Sequence, residues 1–246
     1  MYIDDKGIVL RCVKYDDKSF VAHLFTVSSG HVSFMVNGSR GKRSGTSARL
    51  FQPLTFLSFQ WDAKPKASLQ RMKEARLLFV QQSVPLDPIK RSVAMLLSEF
   101  MVYTLRDEAS NPDLYLYIEH SFQWFDVAED GYANFHLVFL LRLTKFLGFF
   151  PERPMYISGG YFDLQTASYT QFRPPHNDYL EPREAQLIPT LLRMRYENMH
   201  LFHFSGAERN HFLSVINNFY RIHIPNFPEL KSLAVLRDFY DGMKDF

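Results

Sequence analysis

The apolar residues of this chain change their spacing near residue 80. Before that point, Lys6–Tyr15, Ser19–Val27, His31–Gly38, Phe51–Trp61 and Met72–Val80 are five runs rich in Val, Ile, Phe and Leu. Val32, Phe34 and Val36 alternate with Ser33, Met35 and Asn37, which is the two-residue period of a strand. Turn-forming residues separate the runs: Asp16-Asp17-Lys18, Ser28-Ser29-Gly30, a longer segment from Gly38 to Arg49, and Asp62–Lys66 with Pro65. Five short strands in the first 80 residues predict a small closed or nearly closed barrel, because closure removes the exposed edges of short strands.

Beyond residue 80 the period is helical. Asp87-Pro88 reads as an N-cap followed by proline in the first turn, and Ile89, Val93, Leu96, Leu97 and Phe100 recur at helical spacing. Tyr115–Val127 and Ala133–Phe149 predict two more helices. Ser205-Gly206-Ala207-Glu208 fits a capping box that opens a helix through Ile222, and Pro228 precedes a last helix, Glu229–Asp241. Pro189 bends or interrupts a helix around Arg183–Tyr196. Phe150–Leu180 is rich in Pro, Gly, Tyr and Ser and reads as an irregular insert with one or two short strands, Tyr161–Leu164 and Tyr169–Phe172. The predicted class is α+β: a barrel domain over 1–80, then a mostly helical domain over 81–246 with the insert at 150–180.

Composition narrows the class. The 246 residues are 46% hydrophobic and 22% charged, which excludes a disordered, collagen-like or disulfide-scaffold chain. Cys12 is the single cysteine, so no intramolecular disulfide and no zinc site of several thiolates can form. Its strand position predicts a small buried residue rather than a nucleophile. No apolar window is long enough to span a bilayer, and the N-terminus lacks the basic start and apolar core of a signal peptide. A cytoplasmic location is therefore expected.

Charge is unevenly placed. Residues 1–80 carry 13 Lys and Arg against 6 Asp and Glu, while residues 81–246 carry 15 against 20. A basic front half suggests a polyanionic partner. Asn37–Arg49 concentrates Arg40, Lys42, Arg43 and Arg49 with three glycines and no acid. Glycines let a backbone approach a phosphate chain and the cations neutralise it. A solvated loop without a partner has the same composition. The segment is not a phosphate-binding Walker element, since Gly41-Lys42 is followed by Arg43 and Val36 stands where the first glycine belongs. Most aromatics of the first 80 residues read as barrel filling. Trp61, beside Lys64 and Lys66, is the candidate for base stacking.

Other chemistry is sparse. His200, His203 and His211 match no zinc-binding spacing, no nucleophile elbow is present, and Asp4-Asp5, Asp16-Asp17 and Glu129-Asp130 read as turns and caps. Catalytic residues, metal ligands and cofactors are accordingly expected to be none. In the second half, Arg142 and Lys145 share a helix face beside apolar residues, which suits an acidic-aromatic peptide tail. Lys145 equally complements the helix C-terminus.

Several segments carry a resemblance. Gly7-Ile8-Val9-Leu10-Arg11-x-Val13-Lys14-Tyr15, Leu24-Phe25-Thr26 with Gly30-x-Val32, Gly38-x-Arg40 and Leu50-Phe51-Gln52-Pro53-Leu54 resemble the opening of bacterial RecO recombination mediators. Leu147-Gly148-Phe149-x-Pro151, Tyr161-Phe162-Asp163 and Arg209–Asp241 follow the same plan. The resemblance implies an OB-fold barrel followed by a helical domain. It implies binding of single- and double-stranded DNA, annealing of complementary strands, and loading of RecA together with RecR onto coated strands. It also implies docking of the C-terminal tail of single-stranded-DNA-binding protein, for which Arg142 and Lys145 are candidates. Many members hold zinc with four cysteines in the insert. Phe150–Leu180 has none, so packing by Tyr156, Tyr161, Phe162, Tyr169 and Phe172 is expected in its place.

The expected mechanism is phosphate neutralisation by Arg40, Lys42, Arg43 and Arg49 with Arg11, Lys14, Lys64 and Lys66, which lets two strands approach and pair. The alternative is a protein-interaction adaptor in which the basic barrel steers docking. A nuclease would need a carboxylate cluster that the sequence does not display.

Overall fold

Five strands close the N-terminal barrel: β1 (Tyr2–Lys14), β2 (Ser19–Thr26), β3 (Gly30–Asn37), β4 (Phe56–Asp62) and β5 (Gln70–Leu77). The computed structural model describes residues 2–17, 19–37, 48–64, 67–151 and 155–242. Around the barrel the order is β1-β2-β3-β5-β4, and β4 returns to β1. Neighbours are antiparallel except β3 and β5, which run parallel, as in an OB-fold.

β1 serves two neighbours. Its residues Tyr2–Ile8 pair with β4 and Gly7–Lys14 with β2, and a bulge between Val9 and Arg11 bends it from one to the other. Gly7 lies in both ladders. A Cβ there would stand 3.0 Å from Leu24 Cδ2 and from Phe59 Cε1, so a side chain would have to displace the core.

Alternate residues point inward. Val9, Phe20, Ala22, Leu24, Phe34, Val36, Leu57, Phe59, Trp61 and Ala75 form the barrel core with Phe51. Phe51 enters from a 3-10 turn, Ala48–Phe51, and packs edge-on against Phe20 at 5.2 Å. The fourth strand thus starts at Phe56 and not at the expected Phe51. Pro53 offers no N–H to a ladder, and Leu54 has φ of 63°.

Two expectations are corrected here. Trp61 is buried, 3% exposed, and packs edge-on against Phe34 at 5.4 Å. It shares the inward parity of Leu57 and Phe59. Its indole Nε1–H donates to Asp5 Oδ2 at 3.0 Å, so a tryptophan fits inside because its polar tip is satisfied. It is not available to stack on a base. Cys12, expected inside, is exposed; among the described residues, the β1–β4 ladder ends at Ile8 and nothing pairs with β1 at Cys12 on that side. Partial desolvation nevertheless holds its thiol above the ordinary range.

The first compact unit extends past the barrel. It runs through Val127 and takes in Leu230–Leu233. It therefore includes α1 (Pro88–Thr104) and α2 (Pro112–Val127). Asp87 caps α1 by accepting from the backbone N–H of Ile89 at 2.7 Å and Lys90 at 3.1 Å. Ser98 Oγ of α1 donates to the Leu10 carbonyl of β1 at 3.2 Å. The segment entering α1 is held by Asp126 of α2, whose carboxylate accepts from the N–H groups of Gln82 (2.8 Å), Ser83 (2.9 Å) and Val84 (2.9 Å). Lys90, 2% exposed, donates to Ser83 Oγ at 2.7 Å and to the Asp126 carbonyl at 3.2 Å. Gly30, with φ of +67°, lies against the α1–α2 connection. A Cβ there would stand 2.2 Å from the Glu108 carbonyl oxygen.

The second unit runs from Ala128 to Glu229 and continues from Ala234. α3 (Phe135–Phe146) is buried along most of its length. Next comes the insert, whose strands β6 (Tyr161–Asp163), β7 (Ser168–Thr170) and β8 (Tyr179–Leu180) pair in the order β7-β6-β8. The sequence had suggested one or two strands there. Tyr169 packs edge-on against Phe162 at 5.1 Å and Tyr156 at 5.3 Å, and donates its hydroxyl to the Ala185 carbonyl at 2.6 Å. Tyr161 packs against Tyr179 at 5.6 Å. Phe172, expected to pack with them, is 80% exposed. A pair of short helices, α4 (Pro182–Ala185) and α5 (Ile188–Arg193), replaces one helix, with Pro189 in the first turn of α5.

α6 (Gly206–His223) opens with the expected capping box of Ser205 and Glu208. Tyr220 of α6 donates its hydroxyl to the Leu140 carbonyl of α3 at 2.8 Å. The last helix is α7 (Lys231–Gly242). Among the described residues, no helix is long and apolar enough to cross a membrane.

Candidate nucleic-acid interface

Strand parity separates the two surfaces of the barrel. Ala22, Leu24, Phe34 and Val36 face the core, so Val21, His23, Ser33 and Met35 face out. Registry joins these into rows across the sheet. One row is Arg11–His23–Ser33 and the next is Val13–Val21–Met35, continuing to Arg71 on β5. This outer face has an arginine at each side. Neither β2 nor β3 contains an acidic residue.

Two imidazoles occupy the middle of the face. His23 and His31 lie with ring centroids 5.6 Å apart and planes 9° from parallel. His23 Nδ1 shares a 2.9 Å hydrogen bond with Ser33 Oγ. Desolvation, then the nearby Arg11 and His31, push His23 down to about 4. His31 is lowered chiefly by desolvation and next by Arg11, with Asp107 acting in the opposite direction. Both rings are therefore neutral near pH 7. Two carboxylates near the face have cationic neighbours: Asp17 pairs with Lys14 at 3.0 Å and Asp107 with Arg106 at 3.1 Å.

The expected cations divide into two groups. Arg11, Lys14 and Lys64 are exposed on the barrel. Lys64 is positioned by its backbone, which exchanges hydrogen bonds with the Gln70 amide at 3.1 and 2.9 Å. Arg40, Lys42, Arg43 and Lys66 lie outside the described residues, as does the side chain of Arg49, whose backbone belongs to the 3-10 turn. Sequence reasoning missed Arg71, Lys73 and Arg76 of β5 and Lys6 of β1, all exposed. Lys73 Nζ lies 4.2 Å from the Tyr2 ring centroid. The missed signal was the parity of β5, which a bulge between the Ser58 and Gln60 pairings obscures.

In the second unit, Arg142 is half-buried. Its Nη2 donates to the Met194 carbonyl at 3.1 Å and its guanidinium lies 5.9 Å from the Phe150 ring. Lys145 is exposed. One turn before Lys145, Leu141 lines an apolar dimple with Leu192, Val215 and Phe219. The dimple holds about 30 Å³, so an aromatic ring entering it must move a half-buried lining side chain such as Leu192 or Val215. His200 and His203 are exposed, and His211 Nε2 lies 3.0 Å from Glu184 Oε1. Among the described residues, no three His, Cys, Asp or Glu side chains gather at metal-ligating reach.

Comparison with known proteins covers both units. The family model described as recombination protein O N terminal matches residues 1–80, and the one described as recombination protein O C terminal matches residues 85–234. The chain is 44% identical over 236 residues to the DNA repair protein RecO of Bacteroides fragilis, covering 96% of this chain and 98% of that one. It is 43% identical over 234 residues to that of Phocaeicola vulgatus, covering 95% and 97%. The corresponding protein of Porphyromonas gingivalis is 32% identical over 248 residues, covering 98% and 100%. Matched in both its barrel and its helical half, the chain belongs to the RecO family of DNA repair proteins.

Proposed function

We propose that this protein binds single- and double-stranded DNA through its barrel and brings complementary strands together during repair. The observation that carries this reading is the outer face with Arg11 and Arg71 at its sides and no acidic residue on β2 or β3. Cations on such a face neutralise phosphates of approaching strands, which lowers the repulsion that opposes pairing. Arg40, Lys42 and Arg43, which follow β3 in the sequence, add to the same charge by composition. Contacts of this kind carry no base readout, so affinity tracks ionic strength and not sequence.

The helical half supplies the second part of the reading. Lys145, one helical turn from Leu141 of the apolar dimple, suits the acidic-aromatic tail of single-stranded-DNA-binding protein, with Arg142 on the same helix. The resemblance to recombination mediators supports RecR as a co-mediator and RecA as the recombinase that is loaded.

Fluorescence anisotropy with labelled oligonucleotides across a salt series tests the DNA part. Replacing Arg11 and Arg71 by Gln is expected to make the slope of log affinity against log salt shallower by about 1.4 on single strands, roughly 0.7 per lost phosphate contact. Unchanged affinity and slope would remove this face from the binding site. An adaptor without a DNA role would show no saturable binding at low salt.

A further inference from the structure

Phosphate contact alone treats single and double strands alike in kind. The outer face of β1–β2–β3 has a feature that does not. On β2 and β3, which put no Lys or Arg on this face, stand two near-parallel rings: His23 in the Arg11 row, with the apolar row of Val13, Val21 and Met35 on its Arg71 side, and His31 one row further along on the other side. We propose that the His23–His31 pair is a stacking site for one unpaired DNA base, with Arg11 holding the adjoining phosphate, so that this face prefers single-stranded over duplex DNA.

Three observations support the assignment. The pair is partly ordered before any ligand arrives: the His23 ring is tied to Ser33 Oγ, and the His31 backbone is anchored by its N–H donating to the Glu108 carbonyl at 3.1 Å. Preorganised aromatic planes lose little freedom on binding. Both rings are uncharged near neutral pH, which suits stacking on a base more than pairing with a phosphate. The groups that face the pair are Arg11 from β1, Ser33 from β3 and Asp107 from the α1–α2 connection. Of these, Asp107 already has Arg106 as its ion-pair partner. Base planes are open in a single strand and closed in a duplex, so stacking can act only on the former.

The inference rests on the proposed DNA-binding reading, and the test separates the two. Anisotropy is measured for the full chain with a single-stranded oligonucleotide, the same length of duplex, and a single strand of abasic sugars. The variant His23→Ala/His31→Ala is expected to bind the single strand about tenfold more weakly. Its salt slope and its duplex affinity should be unchanged. The abasic strand should bind the unaltered protein as weakly as the single strand binds the variant. His23→Phe/His31→Phe, which keeps the planes and removes the ring nitrogens, should retain single-strand affinity. Circular dichroism of each variant checks that the barrel is folded.

Equal losses on single strand and duplex would overturn the stacking site, as would a Phe variant as weak as the Ala variant. An Ala variant with unaltered single-strand affinity would also overturn it while leaving the DNA-binding reading intact. Absence of saturable binding by the unaltered protein at low salt would overturn both.

Discussion

At the scale of single residues, the polar groups inside the fold are the most informative. Asp5 is buried in the barrel and accepts from the indole of Trp61, from Ser28 Oγ at 2.6 Å and from the Lys6 N–H at 2.8 Å. Trp61 shows how much of this the sequence displays. Its inward parity is visible beside Leu57 and Phe59, but the partner that satisfies its N–H is 56 positions away and cannot be read from spacing. Asp126 works at similar range. Desolvation raises its carboxyl, yet three backbone donors and Lys90 outweigh that and hold it below the usual carboxylate range. Asp126→Ala strands those three N–H donors and removes the anion near the buried Lys90 ammonium. A loss of about 3 kcal/mol in urea unfolding is expected.

His136 on α3 gives a pH-dependent case. It is fully buried, and desolvation, with Arg209 next, pushes it down to about 3. A histidine lowered in the fold contributes stability that is complete above its unfolded value near 6.5. That stability is lost as pH falls towards the folded value, because only the unfolded chain takes up the proton. Moving from pH 7 to pH 5 should therefore cost about 2 kcal/mol through this group. His136→Gln, which cannot titrate, should shrink the difference between denaturant curves at the two pH values by that amount.

At the scale of elements, periodicity was a reliable guide where runs were long. The strands of the barrel, the Asp87 cap of α1 and the Ser205–Glu208 box of α6 all follow from local chemistry. Short elements escaped it. β8 has two residues and is a strand only because β6 lies beside it. The 3-10 turn that inserts Phe51 resembles the start of a strand in composition alone. Cys12 and Phe172 were misplaced because alternation tells which side a residue faces and not whether that side is covered. Gly30 marks a dependence between elements. Gly30→Ala adds left-handed strain and drives a Cβ into the Glu108 carbonyl. A destabilisation of at least about 2 kcal/mol is expected, with faster proteolysis at the α1–α2 connection.

For the whole molecule, the charge split seen in the sequence separates a basic barrel from a more acidic helical half, and the proposed reading gives each its own candidate contact. The outer barrel face was half legible. Arg11 was found from charge, whereas Arg71 joins it only through the parallel pairing of β3 with β5, a long-range event. The helical contact predicts that Lys145→Glu weakens binding of an acidic-aromatic tail peptide by about tenfold in calorimetry, with DNA affinity of the barrel little changed. Equal peptide affinity for both proteins would count against that site.

That same parallel pairing is the thinnest stitch in the cylinder. Among the described residues it joins at Phe34–Gln70 and Met35–Arg71, whereas β2 and β3 pair along eight positions. Amide protons along this seam should exchange with heavy water ahead of those in the β2–β3 hairpin. When the cylinder breathes, it should part there, between the two sides that carry Arg11 and Arg71. A tightly bound strand laid across both would act as a clasp and slow that exchange.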